Sequence, residues 1–301
     1  MKTITRIALK ELLEGGEPPV LIDVGPAEYF QANHLPGAKN CCVYEVTFLE
    51  QAAAAAPDKQ RPVVVYGSGA HSLASSTALE KLERAGYSRV QDYRGGLEDW
   101  SHAGLAVETG APTPAPEQPR EGRHEIDTAK SLVAWTGRNI NGSHTGTIRV
   151  SSGWLDVLPC NAATGEFNLD MDSIADADLS DTALNRMLIA HLKSDDFFDT
   201  ALFPTATFHL RHVVFNPHAR PGSINADIDG ALTLKGVTED LGFPAVTEAL
   251  PGGALSAEAH FDIDRTRWNV LYGSGKFYAN LGKHLVYDVI SLGVHIVSRG
   301  N

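Results

Sequence analysis

The sequence predicts two domains of different class, a small parallel-sheet α/β domain followed by an antiparallel β-barrel with one helix. Three observations carry this. Residues 109–122, TGAPTPAPEQPREG, hold four prolines and two glycines with no periodic apolar pattern, the composition of a semi-extended linker. Before it, continuous apolar runs alternate with helical patterns. After it, the apolar period becomes two. The boundaries read as 1–108 and 123–301, and 301 residues are comfortable for two cores.

In the first domain VLIDV (20–24) and VVVY (63–66) are continuous rather than alternating, as in strands covered on both faces. TFLEQAAAAA (47–56) reads as a helix stopped by Pro57. SLASSTALEKLERAG (72–86) reads as another, carrying Leu73, Leu79 and Leu82 and ending at Gly86. Strand alternating with helix implies a parallel sheet.

In the second domain ALSAEAHFDID (254–264) alternates without error, with Leu255, Ala257, Ala259, Phe261 and Ile263 on one parity. Phe167, Leu169 and Met171 alternate with acidic and amide residues. Ile224, Ala226, Ile228, Leu232 and Leu234 share a parity, as do Leu292, Val294 and Ile296. So many half-buried strands imply a barrel or sandwich. Between them, LSDTALNRMLIAHLKSDDFFD (179–199) reads as one helix capped by Ser180 or Asp181. Leu184, Met187, Leu188, His191 and Leu192 form its apolar stripe.

The formal charge of −12 argues against a nucleic-acid partner, which recruits basic patches. No apolar run approaches the ~20 residues of a membrane span. The start, MKTITRIALKELLEGGEPP, lacks the apolar core of a signal peptide, so a cytoplasmic address is expected. Cys41 and Cys42 are adjacent and Cys160 is distant, which gives neither a disulfide framework nor zinc spacing. His144 and His191 without a paired carboxylate pattern do not specify a metal, and none is expected. His209 and His212, three apart on one strand, are expected on opposite faces and solvated.

LIDVGPAEYFQANHLPGAKN (21–40), VVVYGSGAHS (63–72) and AGYSRVQDYRGGLEDW (85–100) resemble the rhodanese-like domain, over roughly residues 4–107. The resemblance implies a sulfurtransferase whose loop cysteine carries a persulfide held by amides and an arginine. Here the chemistry is missing. Aligned on Gly69 and Ser72, the cysteine position holds Tyr66 and the arginine position His71; a one-residue slip puts Gly67 at the former. The loop Tyr66, Gly67, Ser68, Gly69, Ala70, His71 and Ser72 contains no thiol, and Gly25 stands where an arginine commonly follows Asp-Val. Sulfurtransferase activity is therefore not expected, and the domain reads as a scaffold or docking module.

HEIDTAKSLVAWTG (124–137), HLKSDDFFDTALFPTATF (191–208), GALTLKG (230–236) and IDRTRWNVLYGSGKF (263–277) resemble the YceI-like family, from His124 to Ser298. The resemblance implies a lipocalin-like barrel that binds isoprenoid and other long-chain lipids, and it is compatible with a homodimer. The expected ligand-lining residues are Trp135, Phe167, Leu169, Met171, Phe208 and Phe261 in the barrel, with Leu184, Met187, Leu188 and His191 on a helix closing one end. The leading reading is a binding protein for an isoprenoid, quinone-type or fatty-acyl molecule, with no cofactor and an unidentified protein partner for the first domain. Two rivals stand beside it. One is a sulfur-handling enzyme using Cys41, Cys42 or a partner's persulfide on a lipophilic acceptor. The other is a structural pair with a filled barrel.

Exposed segments without packing are where proteases cut. Mild proteolysis is expected to cleave within 109–122 and leave fragments of about 110 and 180 residues, sizes ordinary for single domains. Cleavage that starts inside 124–298 while the linker survives would refute the boundary.

Overall fold

The computed structural model describes residues 2–300 except 114, 116, 118, 160 and 161, so Cys160 and part of the linker lie outside the described residues. The chain forms two compact units that divide between residues 116 and 117.

The first unit runs α1 (Arg6–Glu14), β1 (Val20–Asp23), α2 (Ala27–Ala32), β2 (Asn33–His34), β3 (Lys39–Asn40), α3 (Phe48–Ala55), β4 (Val63–Tyr66), α4 (Ala74–Arg84), β5 (Val90–Tyr93), α5 (Gly96–His102) and β6 (Glu108–Thr109). A parallel sheet is ordered β3-β1-β4-β5, and β2 pairs with β6 apart from it. Every residue of β1 and β4 is buried, Asp23 included, as strands covered on both faces require. Gly86 stops α4 at φ +93°, a conformation that a side chain disfavours. Leu73 departs from expectation. It precedes the helix and is 68% exposed, so Ala74, Ala78, Leu79 and Leu82 make the buried face instead.

The second unit adds β7 (Gly122–Glu125), β8 (Leu132–Asn139), β9 (Gly142–Leu158), β10 (Ala162–Asp176), α6 (Thr182–Lys193), β11 (Thr205–Phe215), β12 (Ala226–Leu234), β13 (Val237–Ala249), β14 (Leu255–Asp264) and β15 (Val289–Val297). Strands β10 to β15 follow in order, β15 pairs with β8, β8 with β9, and β9 closes back onto β10. The result is a closed antiparallel barrel of eight strands, which leaves no free edge along that ring. β8 pairs with the first half of β9, and β7 takes the same edge over Trp154–Val157. The alternation holds: Ala259 and Ile263 are buried, whereas Glu258 and His260 face outward.

A β-bulge corrects one expectation. The β11–β12 register shifts between Leu210 and His212, so Leu210 and Val213 both point inward. His209 and His212 then share the exposed side rather than opposite faces.

One end of the barrel is plugged. Leu192 of α6, Phe197, Trp268 and Val270 pack with Trp135, Met171, Leu234 and Ile263. Asp181 is the cap, its Oδ1 accepting from the amides of Ala183 and Leu184 at 2.8 and 3.1 Å. Trp268 is fully buried and donates its indole N–H to Leu232 O at 2.8 Å. Trp268→Ala is expected to destabilise the barrel by about 3–5 kcal/mol in denaturant unfolding, as for other large buried aromatics. Leu202→Ala, at a largely exposed position, should stay within about 0.5 kcal/mol of the wild type.

Candidate functional site

The inward faces of the strands do not fill the barrel. A cavity of about 860 Å³ is walled by Phe167, Leu169, Phe208, Phe243, Phe261 and Leu292, among others. A second, of about 320 Å³, lies against Trp135, Met171, Leu188, His191, Phe197 and Tyr272. Both are lined by Val133, Leu169, Leu232 and Leu292, so the two spaces abut inside one barrel. Each is of the size that binding pockets take.

Four phenylalanines run along the larger cavity. Phe243 and Phe261 stack at 4.1 Å with planes 7° apart; Phe208 lies 5.6 Å from Phe243, and Phe167 lies 6.5 Å from Phe208. These rings give rigid apolar contact area at small entropic cost. Phe243 escapes the sequence reading. It sits in LGFPAV, where Leu241, Phe243 and Ala245 do alternate, but Gly242 and Pro244 disguise the strand.

Both cavities carry polar groups: His212, Asn216, Asn225, Thr247 and Glu248 are on the lining of the larger one, and the smaller has a cationic and imidazole set. Arg138, His144, His191, Lys283 and His284 are on its lining. The His191 ring is held edge-on between Phe197 at 4.9 Å and Tyr272 at 4.7 Å, and its Nε2 reaches the Asp196 carboxylate at 3.2 Å. Arg265, 3% exposed, reaches the carbonyls of Val270, Tyr272, Val286 and Tyr287. Those bonds fold the segment after β14 over this end.

Trp135, Phe167, Leu169, Met171, Phe208, Phe261, Leu188 and His191 thus all line one or other cavity. Leu184 and Met187 do not. They are 48% and 63% exposed, and the covered face of α6 runs through Asn185, Leu188, Ile189 and Leu192. The apolar stripe in the sequence is wide enough to allow two rotations of the helix. The amide of Asn185, bonded to the Asp176 carboxyl and backbone, fixes the one seen.

In the first unit the β4–α4 loop, Gly67 to Leu73, contains no thiol. Tyr66 ends the strand fully buried. Its hydroxyl accepts the Leu35 amide at 3.0 Å, and burial, then the nearby Asp23 charge, push its acidity far out of reach. Gly67 and Ser68 carbonyls accept the amides of Leu97 and Glu98, at 3.0 and 2.9 Å. Gly96 must be glycine: at φ +60° a Cβ there would sit 2.4 Å from Gly67 O. The Glu98 side chain lies against Gly69 Cα, and Arg94 bonds Ala70 O and Ser76 Oγ. Ser68, Ala70 and His71 are exposed, and Ser72 Oγ accepts the Ala74 amide.

Among the described residues the free thiols are Cys41 and Cys42. Cys41 is 1% exposed, and burial pushes its thiol up to about 11 against the opposing charge of Lys39. At neutral pH about one molecule in ten thousand would carry the thiolate. Cys42 is buried too.

The family model of the YceI-like domain matches residues 124–298, the whole of this barrel. The chain belongs to the YceI-like family. Residues 5–103, ahead of the YceI-like barrel, match the rhodanese-like domain. Among solved structures, BcnA from Burkholderia cenocepacia is 25% identical with a TM-score of 0.45, the match covering 58% of this chain and 99% of that one. A polyisoprenoid binding domain from Saccharophagus degradans, implicated in plant cell wall breakdown, is 12% identical with a TM-score of 0.42, covering 60% and 100%. An HTH-type transcriptional regulator of Mycobacterium tuberculosis is 37% identical over 109 residues, 36% of this chain; the chain spans about half of that regulator's length, 46%. Among the described residues no helix is long and apolar enough to cross a membrane.

The loop geometry predicts no transfer of sulfur from thiosulfate to cyanide, in the wild type or in Tyr66→Cys. Thiocyanate formed well above a no-enzyme control by the wild type would overturn this.

Proposed function

We propose that the YceI-like barrel binds one long-chain lipid of isoprenoid type, with the rhodanese-like domain as a non-catalytic docking module. The observation that carries this is the pair of abutting apolar cavities, about 860 and 320 Å³, in a barrel whose family fold is established. A barrel filled by its own side chains would not keep that volume, since protein interiors close-pack. Each buried methylene contributes about 0.8 kcal/mol, so a chain of about fifteen supplies on the order of 12 kcal/mol before the cost of ordering it.

The chain occupies the phenylalanine-walled space and the polar end lies in the smaller cavity, near His191. Isoprenoid alcohols, quinones and fatty acyl groups share this pattern of one apolar tail and one small polar end. An apolar pocket with few placed polar groups suits it. The exposed position of His191 Nε2, bonded to Asp196, keeps the imidazole in place while its ring faces the aromatic pair.

Organic extracts of the purified chain, read by mass spectrometry, test the proposal. One lipid per barrel is the expected finding. Leu188→Asp places a charge in the smaller cavity at a cost of several kcal/mol, so it should empty the barrel. Met187→Asp, one residue away and facing out, should retain the wild-type content. Lipid-free wild type that also fails to take up added polyisoprenol, or equal content in folded Leu188→Asp, would reject the proposal.

A further inference from the structure

Where β9 begins and β10 ends, His144, Asp176 and Asp178 converge. The two carboxyl groups are arranged alike. Asp178 Oδ1 accepts the Thr145 amide at 2.7 Å, and Asp176 Oδ1 accepts the Leu179 amide at 2.9 Å and the Asn185 side-chain amide at 3.0 Å. Each therefore has one oxygen anchored by protein donors. The other oxygen of each is turned to the same imidazole nitrogen: His144 Nδ1 lies 3.1 Å from Asp178 Oδ2 and 3.9 Å from Asp176 Oδ2. These ligand atoms all fall within 4.8 Å of one another.

The Asp176 side chain is 0% exposed, yet its Oδ2 has no hydrogen-bond partner. A buried carboxylate oxygen left unpaired costs several kcal/mol, and a second carboxylate aimed at the same point adds repulsion. A cation at the common point offsets both costs at once.

We propose that His144, Asp176 and Asp178 hold one first-row divalent cation, with Zn²⁺ the best match. An imidazole and two carboxylates suit such a cation, whereas Mg²⁺ and Ca²⁺ take oxygen ligands. Tetrahedral coordination at 2.0–2.1 Å separates ligand atoms by about 3.3 Å; the His144–Asp178 pair, at 3.1 Å, is already near this spacing, and the His144–Asp176 pair, at 3.9 Å, needs a shift of about half an ångström. Asn185 and Thr145 are the outer partners that orient the two carboxylates. The sequence shows IADAD (174–178) but not that its two aspartates meet His144 across the β9–β10 seam. The cation would tie that seam to the first turns of α6 through Asn185. This inference does not depend on the nature of the lipid.

The test is calorimetric titration of Zn²⁺ into the tag-free full chain after chelator treatment, with Co²⁺ absorption reporting the ligand field. Saturable binding of one ion per chain is expected, together with a rise in melting temperature. His144→Gln, Asp178→Asn and Asp176→Asn should each weaken binding at least tenfold. Should Asp176→Asn fail to fold, the first two, at half-exposed positions, decide the matter alone. The double variant His260→Ala, His295→Ala removes an exposed histidine pair around Glu258 and should bind as the wild type does. Absence of one-to-one binding, unchanged affinity in folded His144→Gln and Asp178→Asn, or loss of the site in the double variant would each overturn the proposal.

Discussion

Everything in the second unit depends on the backbone pairing that closes β9 onto β10. A sheet of this width with free ends would have to bury or shield two edges; joined, its amides and carbonyls satisfy one another and side chains alone decide what the inside contains. The two strands are long and pair with interruptions, between Asn168 and Leu169 and again between Asp170 and Ala175. Such interruptions bend strands, and a closed ring needs bending. The seam is tight enough that Gly146 tolerates no side chain: a Cβ would lie 1.8 Å from Ala175 O and 2.6 Å from the Trp135 ring. Trp135 can therefore lie across β9 and form the wall of the smaller cavity.

Closure alone would leave an open tube. The plug comes from a segment with little regular structure, residues 265–288, folded by the buried guanidinium of Arg265. A guanidinium offers five donors in a fixed fork, and here they are spent on main-chain carbonyls that have no strand to pair with. Asp264 beside it accepts from Thr266 and pairs with Lys276, which fixes the start of the turn. The Ile-Asp-Arg element is thus explained by architecture. Ile263 points inward, Asp264 caps, and Arg265 holds the lid segment across the barrel end.

The class of both domains and most of the cavity wall were legible because period-two alternation reports directly which residues share a face. Trp135, Phe167, Met171, Phe208 and Phe261 needed only that rule and a family resemblance. What stayed hidden depends on contacts between distant segments. Helical periodicity leaves the rotation of α6 open by about one residue, and an amide–carboxyl contact between Asn185 and Asp176 settles it. A single bulge reversed the relation between His209 and His212, and no local signal announces a bulge at Arg211. Phe243 was masked by its neighbours Gly242 and Pro244. The carboxylates facing His144 belong to another strand, and pairing register is not written in either strand by itself.

In the first unit, Tyr66 at the end of β4 belongs to the core. Tyr66 fills the core between β1 and β5 with Leu9, Leu35, Tyr93 and Trp100, and its hydroxyl satisfies the Leu35 amide. A cysteine there would forfeit the ring and leave that amide and the buried Asp23 short of a partner, a loss measured in kilocalories. The Glu98 side chain, meanwhile, lies against Gly69. Reactive thiolate and present core are thus competing uses of one small region. The residues present serve the core, and Ser68, Ala70, His71 and Leu73 are the exposed residues of the loop.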